Sequence, residues 1–191
     1  MQSLTFMHLA NPATDEPDSV HDVEREIRRR LHDYCRGIDR LDAELVASVY
    51  FADAIDDHGS FKGLGVEFAV YAVKSLQRHA EATQHMIGEP IIDFLSSTAA
   101  HVETYVQAVH RCTDDEGPYL ERFGGRYVDR FEVRDSEWKI AHRLLLHEWN
   151  SKERITLAWQ PGRFTEGRRD RTDPAYLPES SETSHGSTVP T

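Results

Sequence analysis

The first group of residues able to handle protons is Tyr34-Cys35-Arg36-Gly37-Ile38-Asp39. Asp39 falls at the end of a charged amphipathic segment. A helix terminus there carries partial negative charge, so an exposed carboxylate costs roughly 0.3–1 kcal/mol. A residue set against its local preference is a candidate for a task elsewhere; the alternative is capping of the next helix, for which Asp42 is better placed. Further on, Asp53-x2-Asp56-Asp57-His58 offers the ligand types of a metal site. On a strand, however, Asp56 and Asp57 point to opposite faces, so one cation would meet few of these groups. No metal is expected, and His58 can instead line the mouth of a cavity. His85, His101, His110, His142 and His147 are scattered at strand positions without ligand spacing, but His110 shares a face with Val102, Thr104 and Val106. Arg143, with Lys139, Ala141, Leu145 and His147 as same-face neighbours, is either a pocket group or an exposed one.

These residue types suit one chemistry. A histidine of near-neutral pKa can take a carbon-bound proton, and a carboxylate on its other ring nitrogen fixes the tautomer and favours the imidazolium. A tyrosine hydroxyl can steady an enolate oxygen, and an arginine can hold a carboxylate or a leaving oxygen. Each also has a plainer reading. Tyr34 continues an apolar stripe, and His85 taken alone could be a satisfied core or surface histidine.

The elements that must position them follow from periodicity. Residues 1–19 read as a flexible lead-in. Ser19 caps a helix over about 20–36, with Val23, Ile27, Leu31, Tyr34 and Ile38 on its apolar face and Arg25, Arg28, Arg29 and Arg30 outside. Gly37 is expected to end it. In an ideal helix Tyr34 and Asp39 lie about 140° apart, so they share a pocket only if the helix breaks there. Asp42 caps a second helix, Ala43–Tyr50; residues 53–63 form a short strand or hairpin edge; a third helix spans Gly65–Ala80. The period then changes to 2: Thr83–Leu95, interrupted at Gly88-Glu89-Pro90, then Thr98–Cys112, Tyr119–Arg134 with a bulge at Gly124-Gly125, and Trp138–Trp149. Helices followed by consecutive antiparallel strands give an α+β fold, in one domain over 20–150. Residues 151–191 read as a mostly disordered tail.

Several stretches in this order resemble the NTF2-like, or SnoaL-like, superfamily. Tyr34-x4-Asp39-x2-Asp42 followed by Tyr50-Phe51-x-Asp53-Ala54 is similar to its opening signature. Gly59-x-Phe61-x-Gly63 resembles its first strand and turn, Thr83-x-His85-x-Ile87 its second strand, and Trp138-x-Ile140-x2-Arg143 its last. The resemblance implies a cone in which a curved antiparallel sheet wraps three N-terminal helices. It is nearest to the branch of scytalone dehydratase, lindane dehydrochlorinase and bile-acid 7α-dehydratase. By that likeness Asp39 and His85 form the catalytic pair, Tyr34 hydrogen-bonds the substrate, and Arg143 supports the network. Tyr50, His58, Val102, Thr104 and His110 are then candidates for substrate contact. The implied activity is a cofactor-independent elimination on a hydrophobic polycyclic or aromatic hydroxyketone, such as a steroid or polyketide. An isomerase or cyclase, or a non-catalytic subunit resembling the β-subunit of ring-hydroxylating dioxygenases, is the alternative.

Composition excludes other classes. Among 191 residues, 22 Lys and Arg stand against 33 Asp and Glu, a net charge of −11, the wrong sign for nucleic acid or an anionic membrane. Two cysteines give no disulfide framework, and neither a signal peptide nor a membrane span is legible, which fits a cytoplasmic protein. A curved sheet with an apolar outer face is expected to pair with copies of itself; the resemblance favours a trimer over a dimer.

Overall fold

Ser19 caps the first helix, α1 (Val20–Asp39), accepting from the Asp22 backbone N–H at 3.3 Å; the computed structural model describes residues 19–156, 158–159 and 162–176. The expected lead-in, residues 1–18, lies outside the described residues. The i, i+4 stripe faces the core: Val23, Ile27, Leu31, Tyr34 and Ile38 are all buried, and each large apolar member stabilises the fold by about 1.5–3 kcal/mol. Arg28, Arg29 and Arg30 flank it in i, i+4 ion pairs with Glu24, Asp33 and Glu26.

The helix does not end at Gly37. It runs to Asp39 and closes with the two bonds of a Schellman turn, Asp42 N–H to Gly37 O at 2.8 Å and Leu41 N–H to Ile38 O at 3.3 Å. The left-handed position of that turn is Leu41, at φ 55°. Gly37 serves a close approach instead. A Cβ there would lie 2.7 Å from Val46 Cγ2 and 2.9 Å from the Val46 backbone nitrogen, because the turn folds α2 (Ala43–Ser48) straight back onto α1. Asp42 caps α2 through the Leu45 N–H at 3.1 Å. The second helix is thus shorter than expected, and Tyr50 opens a strand.

The remaining elements are β1 (Tyr50–Asp57), β2 (Lys62–Leu64), α3 (Gly65–His79), β3 (Ala82–Ile87), β4 (Ile91–Ser96), β5 (Ala99–Asp114), β6 (Gly117–Arg134) and β7 (Glu137–Arg154). They form a seven-stranded sheet ordered β2-β1-β7-β6-β5-β3, with β4 also on β5. Every pairing is antiparallel except β1 with β7, which is parallel. The break at Gly88-Glu89-Pro90 divides the expected long strand into β3 and β4, which pair with opposite halves of β5. The register shifts twice between β6 and β7, once opposite Gly124-Gly125 and once opposite Arg130-Phe131. In both places the extra residue is on β7, Glu148 in the first and Ala141 in the second. Such bulges bend a strand and increase its twist, and here the sheet curls around the helices. The core joins the α1 stripe to Val46, Val49, Phe68, Ala69, Val102, Phe131, Trp138 and Ile140.

The expectation of a mostly disordered C-terminal segment is corrected for its first part. β7 continues to Arg154, its end tied to Asp114 through Lys152 and Arg154. Residues 168–176 then strap the ends of α1, α2 and α3: Arg171 grips Asp42 with two bonds of 3.0 Å, Asp173 takes Arg40 at 3.1 Å, Arg36 lies over the Tyr176 ring, and Arg169 donates to Ala80 O. Local composition read as unstructured because the order comes from pairing with distant helices. Residues 177–191 lie outside the described residues.

Gly37→Ala should therefore destabilise the protein by about 1–3 kcal/mol, as overpacking does, even though alanine is the better helix former by roughly 1 kcal/mol. Leu41→Gly, which relieves the left-handed position, should be neutral or stabilising. Chemical denaturation of the two variants reads both signs.

Candidate active site

α1 and β3 bring Asp39 and His85 together. Asp39 Oδ1 lies 2.8 Å from His85 Nδ1, and its Oδ2 accepts the His85 backbone N–H at 2.9 Å. The carboxylate clamps ring and backbone together, so the tautomer is fixed and Nε2 is the nitrogen left for a substrate. Both side chains are largely buried, at 13% and 10% exposure. His85 lines a cavity of about 270 Å³ together with Tyr34, His58, Phe68, His110 and Tyr127, while Ser60, Tyr71 and Ser75 stand on its exposed side. Asp39 is not in the wall. With α1 unbroken, it enters the site only through His85.

Beneath this cavity lies a fully buried ion pair. Arg143 and Asp129 face each other directly across β7 and β6, bonded Nε to Oδ1 at 2.8 Å and Nη2 to Oδ2 at 2.6 Å, both side chains 0% exposed. The guanidinium carbon also sits 4.3 Å from the Tyr34 ring centre and 4.1 Å from that of Tyr127. Burial opposes the Arg143 charge, but Asp129 and then Tyr50 outweigh it and hold the guanidinium well above its ordinary pKa. Burial likewise pushes the Tyr34, Tyr50 and Tyr127 hydroxyls well above theirs. They remain protonated and can donate.

Arg143 is thus neither of the two things the sequence offered, a pocket group or an exposed one: it lies behind the cavity wall, paired with Asp129. The Ala141 bulge reverses the parity of β7, so Arg143 shares the inner face with Ile140 and Trp138 rather than Lys139 and Ala141. Tyr50 is also buried behind the wall, donating to Asp56 Oδ2 at 2.6 Å. Val102 and Thr104 lie on the inner face of β5 but are 0% exposed; only Ala108 and His110 of β5 reach the cavity. His58 does line it, stacked on Phe68 at 4.2 Å. Cys35, between Tyr34 and Asp39, is an inert neighbour, its thiol pushed up to about 12 by burial.

Asp129 and Tyr127 were not found from sequence, and Asp56 was weighed there only as a metal ligand. Alternation on β6 did carry a signal, since Asp129 falls at the inward parity between Tyr127 and Phe131, where a charge is unexpected unless paired.

The chain belongs to the SnoaL-like domain family, whose profile matches residues 20–144. Among solved structures it is similar to a protein described as a scytalone dehydratase of Novosphingobium aromaticivorans, at 26% identity and a TM-score of 0.59, over 73% of this chain and 93% of that one. A hexachlorocyclohexane dehydrochlorinase, LinA type 2, superposes with a TM-score of 0.64 at 20% identity, over 74% and 99% of the two chains. The type 3 enzyme of Novosphingobium barchaimii does so with a TM-score of 0.63 at 19% identity, over 73% and 99%. These likenesses establish the expected α+β NTF2-like cone. No curated protein matches the sequence significantly. Among the described residues no helix is long and apolar enough to cross a membrane.

Removing one partner of the ion pair leaves a buried charge, so Asp129→Ala should cost about 3–5 kcal/mol by chemical denaturation. The paired replacement D129L/R143M should cost well under the sum of its singles. A second prediction concerns His110, which burial and then the adjacent His85 push down from 6.5 to about 4. Below pH 6.5 the unfolded chain binds a proton that the folded chain refuses, so stability falls as pH drops through this window. His110→Gln should abolish that component. The stability of the wild type relative to the variant should decline by about 3 kcal/mol between neutral pH and pH 4.

Proposed function

We propose that this protein is a cofactor-independent lyase, eliminating water from a hydrophobic aromatic or polycyclic hydroxyketone with Asp39–His85 as its base. The observation that carries this reading is the two-point grip of Asp39 on His85 at the wall of an open, mainly apolar cavity. A carrier or a sealed structural subunit has no use for a clamped imidazole facing such a space.

In this mechanism His85 Nε2 takes the proton beside the carbonyl. The Asp39 carboxylate stabilises the imidazolium that forms. Tyr34, protonated and held between the Arg143 guanidinium and the Tyr127 ring, donates to the enolate oxygen or to the departing hydroxyl. Arg143 supports the network from behind, and His58 and His110 contact the substrate. The cavity is small beside the roughly 300–1,000 Å³ usual for ligand pockets, which favours a one- or two-ring substrate over a steroid. Exposed Met86, Tyr105 and Trp149 surround a groove on the outer sheet face, which supports a homo-oligomer; sedimentation equilibrium would distinguish trimer, dimer and monomer.

On an identified substrate, His85→Ala should lower kcat/KM by roughly 10²- to 10⁴-fold, and Asp39→Asn should follow it, with thermal midpoints recorded to establish that both variants fold. Full turnover by both would refute the mechanism.

A further inference from the structure

A second carboxylate–imidazole pair opens on the same cavity. Asp56, 0% exposed, accepts from Tyr50 Oη at 2.6 Å and lies 2.7 Å from His58 Nδ1. The other ring nitrogen, His58 Nε2, stands 3.4 Å from Tyr34 Oη. Asp56 and His58 come from β1 and the residue that follows it, whereas His85 is on β3, and β7, β6 and β5 intervene in the sheet order. The curl of the sheet therefore brings the two pairs to the cavity from different walls. A carboxylate buried so completely is costly, and apolar side chains of similar volume would pack the site at least as well. It has a geometric consequence: held by Tyr50, Asp56 fixes the His58 ring with Nε2 towards Tyr34.

We propose that His58 supplies the acid of the reaction, its Nε2 proton passing through the Tyr34 hydroxyl to the leaving oxygen, with Asp56 and Tyr50 as positioning residues. This rests on the elimination reading and adds the source of the leaving group's proton. His85 takes the proton from carbon, the electrons of that bond form the C=C bond, and the C–O bond breaks with its electrons to oxygen. Tyr34 gives its hydroxyl proton to that oxygen and recovers one from His58 Nε2. The products are the conjugated enone and water, with His85 protonated and His58 neutral. One proton returned from His85 to His58 through solvent resets the site.

The test uses two probes with one aromatic ring, 4-hydroxy-4-phenylbutan-2-one and its 4-acetoxy ester, both yielding the same ultraviolet-absorbing enone. Acetate leaves without protonation and hydroxide does not. His58→Gln should lower kcat/KM on the alcohol by roughly 10²-fold or more and leave the ester nearly unchanged; retained ester turnover also reports an intact site. Asp56→Asn should show the same split, more weakly. His85→Ala should lower both. If His58→Gln reduces the two probes equally, or neither, the relay is overturned while the role of His85 stands. A wild-type protein inert on both probes sinks the elimination reading, and the relay with it.

Discussion

The Arg143–Asp129 pair is the interaction on which the rest of the site depends. Two opposite charges with no solvent contact must satisfy each other, and the direct cross-strand register of β6 and β7 lets them do so through two short bonds. Such a pair is a weak source of net stability, since its desolvation cost is comparable to its attraction. Its consequence is positional. The planar guanidinium gives Tyr34 and Tyr127 a cationic surface to pack against, and the ring of Tyr34 fixes where its hydroxyl meets His58. Losing the pair would leave these two tyrosines without the centre that orients them.

Around that centre, sheet curvature decides which side chains meet. The bulge at Ala141 turns Arg143 inward, and the curl brings β1 and β3, far apart in the sheet order, to one cavity. Two imidazoles arrive there, each with Nδ1 held by a buried or nearly buried carboxylate and Nε2 left for chemistry. A third, His110, lies beside His85 with ring centres 5.7 Å apart, and its neutrality keeps a second positive charge away from the imidazolium that His85 must become.

Much of this was legible from periodicity alone. The α1 stripe, the Ser19 and Asp42 caps, the third helix and the alternation of β5 all depend on local spacing, and each lies where the spacing put it. The Asp39–His85 pairing was implied by the resemblance to the dehydratases and not by periodicity; the two side chains lie 2.8 Å apart. The misjudged positions share another cause. Gly37 looked like a helix stop because glycine often is one, but its reason is Val46, nine positions away in sequence and 2.7 Å from a would-be Cβ. Residues 168–176 looked unstructured because their partners, Asp42, Arg40 and the end of α3, are distant in sequence.

The sequence by itself determined the elements, the α+β order and the residue types able to run acid–base chemistry, since hydrophobic period and capping are local properties of the chain. Only the tertiary structure decided which of those residues touch. One extra residue in β7, Ala141, reverses the facing of the stretch that follows it up to the second bulge at Glu148, and no local pattern records that. It turned Arg143 from the outward parity of Lys139 and Ala141 to the buried inner face. Likewise the curl of the sheet brought His58, with Asp56 two positions before it on the same face of the chain, to the cavity that His85 lines.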